Sequence, residues 1–255
     1  MQLFHPQSVR SRSGVFIPRF LQTIALLLAF QAIAWAQDAA SIRNLWDQPT
    51  PATVEKLDKY LSDPNPDIRK AAIQALRHFA SRVTRKGALP AGPVQMHAPI
   101  LPDIAPYLLK ASHDNETSVR QLALFALADS RDPAAVIRLK QAMNDPDPRT
   151  ALLAAALLAE FDDPAALGKL KESIIEISKS RFDVSRFTDA AQVIAGLERL
   201  TGQSLGSIPM APGLSSGSQV EKIRLEVTFN ELINKWAEWA TKNPTTAPAD
   251  TQTAH

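Results

Sequence analysis

The sequence repeats itself at a spacing of 31 residues. The segment LADSRDPAAVIRL begins at Leu127 and the segment LAEFDDPAALGKL begins at Leu158, and both place Leu-Ala ahead of an Asp-Pro-Ala-Ala start. The same offset relates Asp114 to Asp145. A repeat of this length is typical of helical hairpins that stack on their neighbours. Because one such hairpin cannot bury its own apolar stripe, the repeat predicts an all-α fold, an α-solenoid in which each unit is stabilised by the next.

The composition agrees with close packing of helices. Aromatic residues make up 6% of the 255-residue chain, and the nine Gly leave few residues for the tight turns of β-hairpins. The chain has no Cys. Disulfides, thiolate metal sites and cysteine nucleophiles are therefore excluded.

The formal net charge of +2 depends on the first 36 residues, which contain three Arg and no acidic residue. Without them, 25 basic residues face 26 acidic ones, a net charge of −1. The rest of the chain has no basic excess of the kind that nucleic-acid binding requires. We therefore expect no nucleic-acid partner.

Residues 1–36 are predicted to be a signal peptide. Three Arg precede the apolar run from Ile24 to Phe30, and Ala34-Trp35-Ala36 supplies the small residues that precede a signal-peptidase cut. The alternative is an uncleaved anchor formed by residues 20–35. The first case predicts a periplasmic or secreted protein without membrane contact, and the second a membrane-anchored protein with a periplasmic repeat domain.

The remainder of the chain divides according to its Pro, Gly and apolar patterns. Between the first two units the spacing grows from 31 to 51, because a Pro- and Gly-rich loop is inserted. The predicted segments are an N-terminal cap (37–52), a repeat array (53–200) with an inserted loop (84–102), a linker (201–218), a C-terminal capping helix (219–242) and a disordered tail (243–255).

Two strings in the array resemble a known repeat family. DPNPDIRKAAIQAL starts at Asp63, and DNETSVRQLALFAL starts at Asp114. Both resemble the HEAT repeat, in particular the short form found in phycobilisome-lyase-like repeat proteins. A short Trp-rich ending after a helix and Thr-Gly is also similar to some exported bacterial HEAT-repeat proteins.

The resemblance implies a ladder of ion pairs and hydrogen bonds that joins adjacent turns. Carried over to this chain, it assigns Asp67, Arg69 and Arg120 to the ladder. The third unit has Thr150 and Ala151 where the family has an apolar residue followed by Arg. The ladder is therefore expected to be incomplete there.

The C-terminal segment 219–242 carries two conflicting patterns. Apolar residues alternate over 223–229 as in a strand, whereas the spacing over 232–240 is helical. The chain offers no second strand to pair with, which favours a helix that caps the array, and a strand added to a partner's sheet is the alternative. Trp236 and Trp239 would then cover the end of the stack or serve as candidate partner contacts.

No group of residues predicts catalysis or metal binding. Gly213-Leu214-Ser215-Ser216-Gly217 matches the nucleophile elbow of hydrolases, but two Pro precede it and the later His is His255 in the tail. Ser215 is therefore assigned to a linker. No two His stand at metal-ligand spacing on one helix. We expect no catalytic residue, no cofactor and no metal.

The sequence therefore predicts a non-catalytic scaffold of the cell envelope that binds a protein partner, whose identity the sequence does not give. The alternative is an accessory subunit or a lyase-like protein that handles a chromophore, because similar repeats occur in lyases that act on bilins. The leader argues against that alternative, since those lyases work inside the cell.

Overall fold

The computed structural model of the protein describes residues 40–46, 50–86, 103–180, 183–208 and 219–244. All regular secondary structure in these ranges is α-helical, which confirms the predicted fold class. The predicted leader, most of the inserted loop and most of the tail lie outside the described residues. The helices are α1 (40–45), α2 (Pro51–Tyr60), α3 (Pro66–Lys86), α4 (Ala105–Ala111), α5 (Thr117–Asp129), α6 (Pro133–Ala142), α7 (Pro148–Ala159), α8 (Ala166–Lys179), α9 (Val184–Thr201) and α10 (Gln219–Lys242).

The helices from α2 to α9 form four consecutive hairpins, which we call units 1 to 4: α2–α3, α4–α5, α6–α7 and α8–α9. The second helices of the units form one layer, in which α3 packs on α5, α5 on α7 and α7 on α9. In the other layer α4 packs on α6, and α8 packs on α10. This arrangement of neighbour contacts is that of an α-solenoid.

Aspartate and proline residues set the helix starts. Asp132 and Asp147 each accept a backbone hydrogen bond, from the N–H of Ala134 and of Thr150 respectively, both at 2.8 Å. Each Asp precedes a Pro at the first helical position, where the missing N–H costs nothing. Asp132 and Asp147 are thus the N-caps of α6 and α7.

The turns between units contain backbone in the left-handed region. Arg131 and Asp162 both have φ of 56°, and they are 31 residues apart, at equivalent positions of two successive turns. Gly202 takes the same role after α9, with φ of 67°. Reversing the chain after a helix commonly requires one such residue.

Small residues allow the helices to approach closely. A Cβ added to Gly196 on α9 would lie 2.8 Å from Cδ1 of Leu170 and 3.3 Å from Cβ of Ala159. Gly196 therefore sits where α9 meets both helices α7 and α8. The alanine-rich helix α7 contributes fully buried residues to the same region, among them Ala154, Ala155 and Leu158.

Helix α10 takes the place of a fifth first-layer helix against α8. Its residues Phe229, Ile233 and Trp236 are fully buried in the C-terminal core. Over residues 223–228 the helix is largely exposed, with Ile223 at 53% and Val227 at 51%. The alternation over 223–229 thus does not mark a strand, because two of its apolar side chains face solvent on a helix.

Both ends of the array are covered. At the start, Ile42 of α1 is buried, and Trp46 stacks on His78 of α3 with ring centroids 5.6 Å apart. At the other end, residues 202–208 follow α9 without regular structure, and Leu205 and Ile208 pack against the C-terminal core. Of the helices in the described ranges, none is both long and apolar enough to cross a bilayer.

Candidate interaction surfaces

Unit 1 is joined to unit 2 by an arginine. Arg69 of α3 donates from Nε and Nη2 to the two carboxylate oxygens of Asp114, at 2.7 and 2.8 Å. It also donates from Nη1 to the backbone carbonyl of Asp63, at 2.8 Å. Both side chains of the ion pair are largely buried, at 14% and 12% exposure. A bidentate pair of this kind is stronger and more directional than a single hydrogen bond.

Unit 2 is joined to unit 3 in the same way. Arg120 of α5 donates from Nε and Nη2 to the two oxygens of Asp145, at 3.1 and 3.0 Å. Its Nη1 donates to the carbonyl of Asp114. The next residue, Gln121, donates to Asp147 and to the hydroxyl of Thr150. Arg69 and Arg120 thus lie where a ladder between units requires them.

Asp67 does not take part in these contacts, and its assignment to the ladder has to be corrected. Its side chain is 77% exposed, and its Oδ1 lies 2.7 Å from Nζ of Lys70 within the same helix. The carboxylate that receives each arginine comes instead from the turn of the following unit, at Asp114 and Asp145. These two acids open the turn between the helices of their own unit, which lies directly beside the preceding arginine.

The contacts of Asp114 lower its pKa. Burial alone would raise the pKa of this carboxyl, but hydrogen bonds from Arg69 and from the backbone N–H of Glu116, with the charges of Arg69 and Arg120, outweigh burial. The pKa therefore lies below its ordinary value, and Asp114 is ionised in the folded protein at neutral pH.

Helix α7 has no arginine at the equivalent position, where it faces unit 4. Ala151 of α7 stands at the position of Arg120, as the 31-residue offset predicts. Among the described residues, the nearest ion pair from α7 to α9 joins Arg149 and Asp189, whose N and O atoms are 3.8 Å apart. Burial raises the pKa of Asp189 more than Arg149 lowers it. This pair is therefore loose, and apolar side chains of the C-terminal core pack across the junction.

An open groove lies across the second helices of units 2 to 4. It has a volume of about 430 Å³, and its apolar lining includes Phe125 of α5, Leu153 and Ala156 of α7, and Ala195 of α9. Polar groups stand at its rim: Glu160, Gln192 and Arg199. A groove of this size suits one or two apolar side chains of a ligand.

The groove exists because a large residue is missing from one unit. Ala156 lies 31 residues after Phe125, so it occupies the position in unit 3 that Phe125 occupies in unit 2. Counted from the capping residues Asp147 and Asp183, the corresponding position of unit 4 is Gln192. The alanine therefore leaves a gap between its two neighbours. Aligning the repeats position by position would have revealed this signal in the sequence.

One end of the groove carries a small charged network. Arg199 donates from Nε and Nη2 to Asp162, at 2.7 and 3.0 Å. Arg131 in the preceding turn donates to the carbonyl of Glu160, at 3.2 Å, and its guanidinium lies over the ring of Phe161. The left-handed backbone at Arg131 and Asp162 thus places both charges at the edge between units.

The two tryptophans named as candidate partner contacts differ in exposure. Trp236 is fully buried, and it cannot contact a partner in this fold. Trp239 is partly buried, meets Trp236 edge to face at 5.4 Å, and has Nζ of Lys171 5.1 Å from its ring centre. The tryptophans therefore close the C-terminal core. Spacing alone could not show this, because the burial of Trp236 depends on the position of α8.

The structure adds no chemical site to these surfaces. In the part of the chain that it describes, no three His, Asp or Glu side chains lie together as ligands for a metal ion. Ser215 and the other residues of the Gly-Leu-Ser-Ser-Gly motif lie outside the described residues. The expectation for that motif stays a prediction.

Family comparisons match the repeat region. The family model described as “HEAT repeats” matches residues 105–180, which run from α4 to the end of α8. A second family model, described as “HEAT repeat”, matches residues 54–83, which lie on α2 and α3. No curated protein sequence matches the chain significantly. Both matches fall on hairpins that stack as described above, so the chain contains HEAT repeats over these residues.

Proposed function

We propose that this protein is an exported, non-catalytic scaffold of the cell envelope that binds a segment of a partner protein in the groove across α5, α7 and α9. HEAT repeats generally serve as protein-interaction scaffolds, using the extended surface that successive helices form. The observation that carries the proposal is the groove of about 430 Å³ left open where Ala156 replaces the phenylalanine of unit 2.

The groove favours a protein segment with a bulky apolar side chain. Phe125 forms one wall, and Ala156, Ala195 and Gly196 leave room beside it. At the rim, the amide of Gln192 and the carboxylate of Glu160 can bond the peptide groups of an extended segment. An apolar centre surrounded by polar groups is the usual arrangement of an energetically important contact in protein interfaces.

The variant that tests the groove is Ala156→Phe, which copies the phenylalanine of unit 2 into unit 3 and fills the space. We expect partner binding to weaken by at least about tenfold, because the incoming side chain loses its pocket. The control is Gln141→Phe, which adds the same ring at an exposed position of α6 in the other layer. Circular dichroism would show whether both variants keep their helix content.

The measurement compares proteins captured from cell-envelope extract by the parent chain and by both variants. A protein lost with Ala156→Phe and kept with Gln141→Phe supports the proposal. A photo-crosslinking residue at the exposed position of Ala195 then identifies the bound segment. If Ala156→Phe captures the same proteins in the same amounts as the parent chain, the groove is not the binding surface.

Export is tested by the intact mass of the protein as it accumulates in its host. A chain that starts at Gln37 supports cleavage after Ala36 and release. A chain that still contains Arg10 supports the anchored form. Recovery of the protein from the cytoplasm with its complete N-terminus would contradict export.

A further inference from the structure

A second cavity lies at the opposite end of the array from unit 4. It has a volume of about 400 Å³ and is formed between α1 and α2. Its lining consists of Ser41 and Leu45 from α1, with Lys56, Lys59 and Tyr60 from α2. It shares no residue with the groove described above.

Within the described ranges, neither lysine of this cavity has an acidic partner. On α2, Lys59 and Tyr60 follow Lys56 by three and four residues. Both therefore lie on the same face of the helix as Lys56. Among the described residues, no carboxylate lies within 4 Å of either ammonium group. The nearby Asp58 is held by Lys110 instead, at 3.0 Å. Two lysines thus line one cavity, and no carboxylate of the described residues pairs with them.

This arrangement differs from that of most other bases in the described part of the chain. Arginines and lysines elsewhere are mostly paired with carboxylates or backbone carbonyl groups. Examples are Arg69, Lys70, Arg77, Lys110, Arg120, Lys140, Lys171, Lys179 and Arg199. The cavity is therefore a place where positive charge is available to a ligand.

We propose that this cavity binds an anionic group, a phosphate or a carboxylate, that is attached to an apolar body. Lys56 and Lys59 supply ammonium donors for the anion, and the hydroxyl of Tyr60 supplies a further donor. Leu45 and the ring of Tyr60 provide the apolar wall. The volume falls within the range of small-molecule sites.

Two sources could present this chemistry, a free small molecule and the headgroup of an anionic lipid. The cavity is formed by the first two helices after the predicted leader, so an uncleaved leader would keep it close to a membrane surface. The shared requirement is an anion beside an apolar group. Separate probes for the two sources distinguish them.

The first probe is phenyl phosphate, measured by isothermal titration calorimetry at about 0.02 M salt, where screening is weak. The protein is the full chain as it is purified from producing cells. We expect binding that weakens as the salt is raised to about 0.3 M. In the double variant Lys56→Gln/Lys59→Gln, binding should fall by about tenfold, because both charged donors are removed.

The matched control is Lys169→Gln/Lys235→Gln. These lysines also have no carboxylate within 4 Å among the described residues, but they lie on α8 and α10. The control removes the same total charge, so it should bind phenyl phosphate as the parent chain does, within about twofold. Ala156→Phe should also bind normally, which separates this proposal from the proposed function.

The second probe is flotation with vesicles of phosphatidylglycerol and phosphatidylcholine, compared with phosphatidylcholine alone. Binding to the anionic vesicles that is lost in Lys56→Gln/Lys59→Gln, but not in the control, supports the lipid as the source. Binding of phenyl phosphate without vesicle binding supports a free ligand. The proposal is overturned if neither probe binds, or if the double variant binds like its control.

Discussion

The junctions between units 1, 2 and 3 each contain a largely buried bidentate arginine, whereas the ion pairs at the junction between units 3 and 4 each include an exposed side chain and packing is the main contact there. Arg69 and Arg120 each reach a buried carboxylate of the next unit in bidentate geometry. At the later junction the equivalent residue is Ala151, and Gly196 lets α9 approach Leu170 and Ala159 instead. One stack thus uses two ways to set the distance between repeats.

The difference shows what each kind of junction permits. A bidentate arginine fixes both distance and register, and it must be balanced by a partner because an unpaired buried charge is costly. A junction of small residues has no such requirement, so a half-buried position such as residue 156 can change size without leaving a charge unpaired. The groove lies beside this junction, because Ala156 stands at the position that Phe125 occupies in unit 2.

Of the variants that test the difference between the junctions, the replacement of Arg120 should lower the free energy of unfolding most. Arg120→Met leaves Asp145, whose side chain is 6% exposed, without its cation. We expect the free energy of unfolding to fall by about 3 kcal/mol, the lower end of the cost of breaking a buried pair. Urea denaturation followed by circular dichroism measures this change.

The control for that variant is Arg149→Met at the junction of units 3 and 4. Arg149 is 61% exposed and lies 3.8 Å from its partner, so its loss should cost less than about 0.5 kcal/mol. Equal losses for Arg120→Met and Arg149→Met would mean that the two junctions do not differ in the way described.

A methyl group at Gly196 should have an intermediate effect. Helix propensity favours Gly196→Ala by about 1 kcal/mol. The added Cβ, however, meets Leu170 at 2.8 Å, and overpacking of this kind costs about 1 to 3 kcal/mol. We expect a net loss of about 1 kcal/mol, measured by the same denaturation experiment.

The companion variant is Gly196→Ala with Leu170→Val, which shortens the side chain that the new methyl group meets. The two changes should be less destabilising together than the sum of the single variants. If Gly196→Ala alone stabilises the protein, the close approach of α9 is not what holds this junction.

The dependence of stability on pH should show the smallest effect. Because the pKa of Asp114 is lowered in the folded state, its contribution is present above the ordinary Asp pKa of about 4 and is lost as the pH falls through the folded-state pKa. Asp114→Asn should therefore be less stable than the parent at pH 7, and the difference should shrink on acidification.

Asp189 provides the opposite case at the other junction. Burial raises its pKa, so its contribution is present below the ordinary Asp pKa and is lost as the pH rises through the folded-state value. Asp189→Asn should not lower the midpoint of urea unfolding at pH 7. A loss of stability equal to that of Asp114→Asn would show that Asp189 is also a paired structural acid.

Much of the architecture could be predicted because it depends on local chemistry. Asp132 and Asp147 cap the helices that follow them, and the 31-residue spacing places equivalent positions in successive units. Arg69 and Arg120 were recognised from their places in the repeat. Asp67 was assigned to the ladder from the resemblance to the HEAT repeat, whereas the carboxylate that pairs with Arg69 is Asp114, 45 residues away.

The sequence by itself determined the helical hairpins, their order and the position of the missing arginine at Ala151, because caps, turns and apolar spacing act within one or two turns of chain. The tertiary structure decided which carboxylate receives each arginine, that Trp236 is buried against the array, and that Ala156 opens a groove. Those outcomes depend on which helices lie side by side, and residues far apart in the chain become neighbours when the units stack.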